Sequence, residues 1–220
     1  MTHIHKPTNF TRRRAIWRLL AVTVLCSLMP LAPAQAQANN TPPSQLIAQL
    51  KAGGLVVFFR HGETGPAYAD RDKAVMGDCS TQRNLNAEGR AQVAKMGRDF
   101  KTLQIPVGQV LSSEFCRCWE HAQAMFGKGN YTITNHLSVP ASYPNVNDAD
   151  RALTAKNLNA LLSQVPAAGK NTVLISHGIN ILVATSYHPG TQGEAVIFRP
   201  DGKGGYARLG SVLPGEWVGK

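Results

Sequence analysis

Acidic residues are scarce in this chain. Thirteen Asp and Glu stand against 23 Lys and Arg in 220 residues, and residues 1–38 and 127–147 hold no acid at all. Beyond residues 1–38 the excess of base comes without a Lys/Arg run or a basic patch interleaved with aromatics, so it does not point to nucleic acid. Internal repeats are absent. The one extended apolar stretch, Ala15 to Met29, is broken by Arg18, Thr23 and Ser27 and falls short of a membrane span. Cysteine is sparse as well, at four residues.

The first 38 residues nonetheless have a clear pattern. Lys6, Arg12, Arg13 and Arg14 make a basic start, the apolar stretch follows, and Pro30, Pro33 and the string Ala34-Gln35-Ala36-Gln37-Ala38 close it. A basic region, a short apolar region and an A-x-A site are the parts of a secretory signal peptide, which cleavage near Gln37 or Asn39 removes. Arg13-Arg14 also has the look of a twin-arginine export signal. Cys26 follows Leu25 rather than a small residue, which argues against lipid attachment. The reading is a signal peptide over 1–38 and one domain over 39–220, periplasmic or secreted, with no stable membrane anchor after cleavage.

Removing that segment takes away five bases and leaves 18 against 13 acids. A net charge of +5 suits anionic substrates, and about 182 residues suffice for one domain with a sizeable core. Three cysteines remain, Cys79, Cys116 and Cys118. An oxidising compartment favours one disulfide among them. Cys116 and Cys118 are too close to bond each other comfortably, so Cys79 is expected to pair with one of the two, Cys116 or Cys118.

Two apolar runs end in a histidine followed by glycine. Leu55-Val56-Val57-Phe58-Phe59 leads into Arg60-His61-Gly62, and Val173-Leu174-Ile175 leads into Ser176-His177-Gly178. Runs without polar alternation read as strands buried on both faces of a parallel sheet, and ligands in such sheets sit at the strands' carboxyl ends. The glycines are expected to allow a sharp turn and a ligand's approach. Around these strands the pattern predicts short helices from Ser44 and from Gly178, and one from Asn86 whose Val93, Met96, Phe100 and Leu103 form a stripe. Further helices are predicted over Phe115 to Phe126 and Ala152 to Leu162. Val110-Leu111 and Tyr131 to Leu137 read as strands, and Glu194 to Phe198 with Tyr206 to Leu209 as a closing hairpin. The alternation gives an α/β fold, a single three-layer α/β/α sandwich around a mostly parallel sheet.

Three strand ends then supply Arg60 and His61, Arg117, and His177. Arginine's planar fork suits phosphoryl oxygens, and a neutral imidazole can attack phosphorus. The helix opening near Phe115 is expected to add its backbone N–H groups. Arg60-His61-Gly62-Glu63-Thr64, Leu85 to Gly89, Ser112-Ser113-Glu114-Phe115-Cys116-Arg117, and Ser176-His177-Gly178 occur in that order. The set resembles the histidine phosphatase superfamily, which includes the phosphoglycerate mutases. The Cys116-Arg117-Cys118 variant, with Asp78 to Leu85, resembles an exported subgroup related to lipopolysaccharide heptose phosphate phosphatases.

That resemblance implies a phosphomonoesterase with His61 as the phosphorylated nucleophile and Arg60, Arg117 and His177 completing the phosphate pocket. It implies no cofactor and no metal, and a small phosphorylated partner such as a lipopolysaccharide sugar phosphate. The mutase-like branch carries a glutamate proton donor after the Arg117 helix, where this chain has no acid. Glu63, Asp148 and Asp150 are the candidates instead, the latter two also reading as first-turn charges of a helix. Arg83 can face a substrate phosphate or an acidic neighbour. His121 stands where the family usually has Thr and reads as a solvated helix residue. Two other readings compete: a non-catalytic anion-binding module, and a zinc-type site of Cys79, Cys116, Cys118 and His121.

Overall fold

A computed structural model describes residues 1–3, 41–66 and 74–218. Apart from residues 1–3, the predicted signal segment, with its cleavage site, lies outside them. Among the described residues no helix is long and apolar enough to cross a membrane.

Six strands form one sheet in the order β3-β2-β4-β1-β5-β6. They are β1 Val56–Arg60, β2 Val107–Ser112, β3 Thr132–Ile133, β4 Asn171–Ser176, β5 Ala195–Pro200 and β6 Tyr206–Val212. The β1–β4, β2–β4 and β2–β3 pairs are parallel, and β5 and β6 add an antiparallel edge. The two apolar runs are the centre of the sheet: β4 is buried throughout and β1 up to Arg60. Their faces separate two cores. Val57 and Phe59 pack with α1 (Pro43–Ala52), α2 (Ala87–Thr102) and α3 (Cys116–Phe126). Val56 and Phe58 pack with α4 (Asp148–Leu162) and α5 (Gly178–Thr185). The expected three-layer sandwich is therefore the fold.

Local departures from the sequence reading have local causes. The alternation over Tyr131 to Leu137 yields only the two-residue edge strand β3, because Thr134 caps a 3-10 turn at Asn135–Leu137 by accepting from the His136 N–H. Helix α4 starts at Asp148 rather than Ala152, since the Asn147 side chain accepts from the Asp150 N–H and caps it earlier. Helix α1 opens on Pro43 instead of a Ser44 cap, its fixed φ being suited to a first helical position.

Candidate active site

Register brings the predicted residues together. Arg60 is paired with Ser176, and the His61 N–H bonds the Ser176 carbonyl at 2.9 Å, so His61 and His177 leave adjacent parallel strands at the same level. On the other side of β4, the Ser113 N–H bonds the Ile175 carbonyl at 3.0 Å, which sets the turn into α3 beside His177. Arg60, His61, Arg117 and His177 all line one cleft of about 560 Å³ at the carboxyl ends of β1, β4 and β2.

The hydrogen bonds assign the imidazole protons. His61 Nδ1 lies 2.9 Å from the Gly62 carbonyl, which can only accept, so Nδ1 carries the proton and Nε2 keeps its lone pair. His177 Nδ1 receives Arg117 Nη2–H at 3.2 Å, and its Nε2–H therefore donates to Ser113 Oγ at 2.9 Å. The two rings meet edge to face, 5.5 Å between centroids. Both histidines are nearly inaccessible, and burial, then the Arg117 guanidinium, holds each well below the ordinary imidazole range. Two buried imidazoles among guanidinium groups make the cleft suited to an anion.

Arg117 is held on several sides. Nη1 donates to the Arg83 carbonyl at 3.2 Å, Nη2 reaches His177, and the guanidinium stacks 4.5 Å from the centre of the Phe115 ring. Arg60 donates from Nη1 to the Pro189 carbonyl at 2.9 Å. Arg83 also lines the cleft, and its charge acts on Arg60, His61 and His177 together. The segment carrying it is tied to α3. Cys79 and Cys116 form a disulfide, and Gln82 Oε1 accepts from the Cys116 N–H at 2.9 Å. Cys118 remains a buried thiol, with Sγ 3.6 Å from His177 Nε2.

Several expectations need correction. None of Glu63, Asp148 and Asp150 lines the cleft. Glu63 is exposed and accepts from Asn86 at 3.2 Å; Asp150 accepts from the Ser142 N–H at 2.8 Å, and Asp148 is an exposed first-turn acid of α4. His121 is fully buried rather than solvated, with Nε2 3.0 Å from Met125 Sδ and its ring against Phe59. A helix packed on the sheet turns its third and fourth residues inward with equal ease, and position 121 shares the inner face with Cys118 and Ala122. Three N–H groups at the start of α3 are already taken. Those of Phe115, Cys116 and Cys118 bond Ser113 Oγ, Gln82 Oε1 and the Phe115 carbonyl. The zinc-type reading fails because the disulfide takes Cys79 and Cys116, while His121 faces Met125 and Phe59.

The glycines also serve another purpose. Gly62 has no positive φ; a Cβ there would stand 2.6 Å from Val93 Cγ1 on α2. At Gly89 it would stand 1.9 Å from the Glu63 carbonyl oxygen. Helix α2 thus presses backbone to backbone on the loop that follows His61. Glu114 and His188, which also line the cleft, carried no motif signal of their own, since only the fold brings β2's exit and the loop after α5 to one place.

The comparisons with known proteins agree with this arrangement. Residues 56–138 match the family model "Histidine phosphatase superfamily (branch 1)". No curated protein matches this chain. Among solved structures, a mutant phosphoserine phosphatase from Entamoeba histolytica, in complex with phosphoserine, has a TM-score of 0.55 at 15% identity, covering 74% of this chain and 99% of that one. Bacillus stearothermophilus YhfR gives 0.51 at 12% identity, over 70% and 94% of the two chains. The protein histidine phosphatase SixA, complexed with tungstate, gives 0.50 at 19% identity, over 73% and 97%. These structures share the fold.

Proposed function

We propose that this protein is a phosphomonoesterase acting through a phosphohistidine at His61, on a small phosphorylated substrate outside the cytoplasm. The observation that carries the reading is the tautomer of His61, whose Nδ1–H is held by the Gly62 carbonyl so that Nε2 presents a lone pair among Arg60, Arg117 and His177.

In the first step Nε2 of His61 attacks phosphorus and the ester oxygen leaves; in the second, water displaces the phosphoryl group and the electron pair returns to Nε2. The guanidiniums of Arg60, Arg83 and Arg117 neutralise the charge on the transferring oxygens. His177 has a narrower task than proton transfer, because its Nε2–H is taken by Ser113 and its Nδ1 by Arg117. It packs against the nucleophile and holds Arg117 in place. Intact cationic and nucleophilic groups in one cleft favour catalysis over an anion-binding module.

Cleft walls that include Ile179, Leu182 and Pro140 above a cationic floor suit a phosphate carried by a sugar-sized body, and a lipopolysaccharide sugar phosphate is within this class. The signal-like segment 1–38 and the Cys79–Cys116 disulfide support a periplasmic or secreted location. The test is phosphatase activity of the mature domain in the presence of chelator, against His61→Ala. The expected result is a chelator-resistant activity with an acid-labile, alkali-stable phosphoenzyme, both lost in the variant. Full activity of His61→Ala would overturn the mechanism. A screen of sugar phosphates and lipopolysaccharide fragments would identify the substrate.

A further inference from the structure

We infer that Glu114 is the proton donor of this active site, a role that rests on the phosphatase reading above. A phosphate ester of an ordinary alcohol has a poor leaving group, so its departing oxygen needs a proton. Neither active-site histidine can supply one, since the Nδ1–H of His61 is held by Gly62 and the Nε2–H of His177 by Ser113. Arginine stays protonated. Glu114 is the one carboxyl among the described residues lining the cleft. It follows Ser113, the partner of His177, and precedes Phe115, over which Arg117 stacks, so its backbone is held by the same β2–α3 turn that builds the site.

Its side chain is held too. Ser138 Oγ donates to Glu114 Oε2 at 2.9 Å, and the Ser138 carbonyl in turn accepts from Asn180 Nδ2 at 2.7 Å. This anchor comes from the 127–147 stretch that contains no acid of its own. One carboxyl oxygen is thereby fixed, leaving Oε1 as the atom for the substrate. The other titratable side chains of the cleft besides the arginines and the two buried histidines are Tyr143 and His188, both exposed at the rim, with His188 over Gly178.

The steps balance. As the N–P bond to His61 forms and the P–O bond to the leaving group breaks, the proton on Glu114 passes to the departing oxygen, giving the free alcohol and a carboxylate. That carboxylate then takes a proton from the attacking water as the P–N bond breaks, releasing inorganic phosphate and restoring the acid.

The experiment compares Glu114→Gln with the unaltered enzyme on two substrates, p-nitrophenyl phosphate, whose leaving group needs no proton, and an alkyl phosphate such as glycerol phosphate. The expected result is a fall of about 10²- to 10⁴-fold in kcat/KM on the alkyl ester. The kcat/KM for p-nitrophenyl phosphate, which is set by formation of the phosphoenzyme and not by its hydrolysis, should stay within about tenfold and so report an intact fold and nucleophile. An equal loss on both substrates, or no loss on either, would overturn the assignment to Glu114 while leaving His61 chemistry standing. Failure of the unaltered enzyme to hydrolyse either ester would overturn the phosphatase reading and this proposal with it.

Discussion

Arg117 Nη2 and His177 Nδ1 stand 3.2 Å apart, and because a guanidinium can only donate, the arginine dictates which nitrogen of its neighbour carries a proton. The two residues lie 60 positions apart in the chain and share one hydrogen bond in a nearly dry pocket.

Arg117→Lys should therefore be far from conservative. A lysine has one point of charge where Arg117 uses Nη1 for the Arg83 carbonyl, Nη2 for His177 and its flat face for Phe115. Loss of a positioned donor at a developing negative charge costs about 10²- to 10³-fold. Steady-state kinetics of the variant should show kcat/KM lower by that amount, with its circular dichroism unchanged.

His121 gives the protein a built-in sensitivity to acid. Burial lowers its pKa from 6.5 to about 3. Between those values the unfolded chain binds a proton that the folded chain does not, so stability rises with pH through this window and is lost as pH falls below 6.5. His61 and His177, depressed in the same direction, add to the slope. One such group is worth about 1.4 kcal/mol per pH unit. Urea unfolding of His121→Leu between pH 6 and pH 4 should be less steep in pH than the parent by about that amount. An unchanged slope would mean that the ring is solvated after all.

The disulfide closes a 37-residue separation, a cross-link worth about 4 kcal/mol in the unfolded-chain picture. Replacing both partners, Cys79→Ser with Cys116→Ser, should lower the urea midpoint. It should also raise KM more than it lowers kcat, because the residues holding Arg83 beside Arg117 lose their covalent anchor. Equal KM in the two proteins would show that Gln82 and the Arg83 carbonyl suffice to hold that wall.

Much of the architecture was readable from residue patterns because the signals were local or repeated. Uninterrupted apolar runs marked β1 and β4, and a glycine after each histidine marked where they end. Cys79 had only two possible partners, and the disulfide chose Cys116. Other features depend on distant neighbours. The alternation from Tyr131 to Leu137 suggested a strand, but a threonine cap and an edge position cut it to two residues. His121 looked like a surface residue because its neighbours Glu120 and Gln123 are polar, while the sheet beneath α3 determines which side it faces. Glu114 lay inside a motif quoted for its serines and arginine. Its meeting with Ser138 requires β2 and the turn before α4 to be folded together.

Gly89 sits 28 residues from His61 in the chain, yet its hydrogen is what lets α2 rest against the Glu63 carbonyl. The helix seats directly on the backbone of the loop that leaves His61, so the depth to which it seats bears on where that imidazole sits in the cleft. A methyl group at position 89 would meet backbone rather than a side chain that can turn aside, so the displacement would pass along the loop toward His61. Misplacement of a reacting atom by about 1 Å can cost on the order of 10²-fold. Gly89→Ala should accordingly lose turnover out of proportion to any fall in its melting temperature, and a variant that melts early while keeping full kcat would show that the loop has slack.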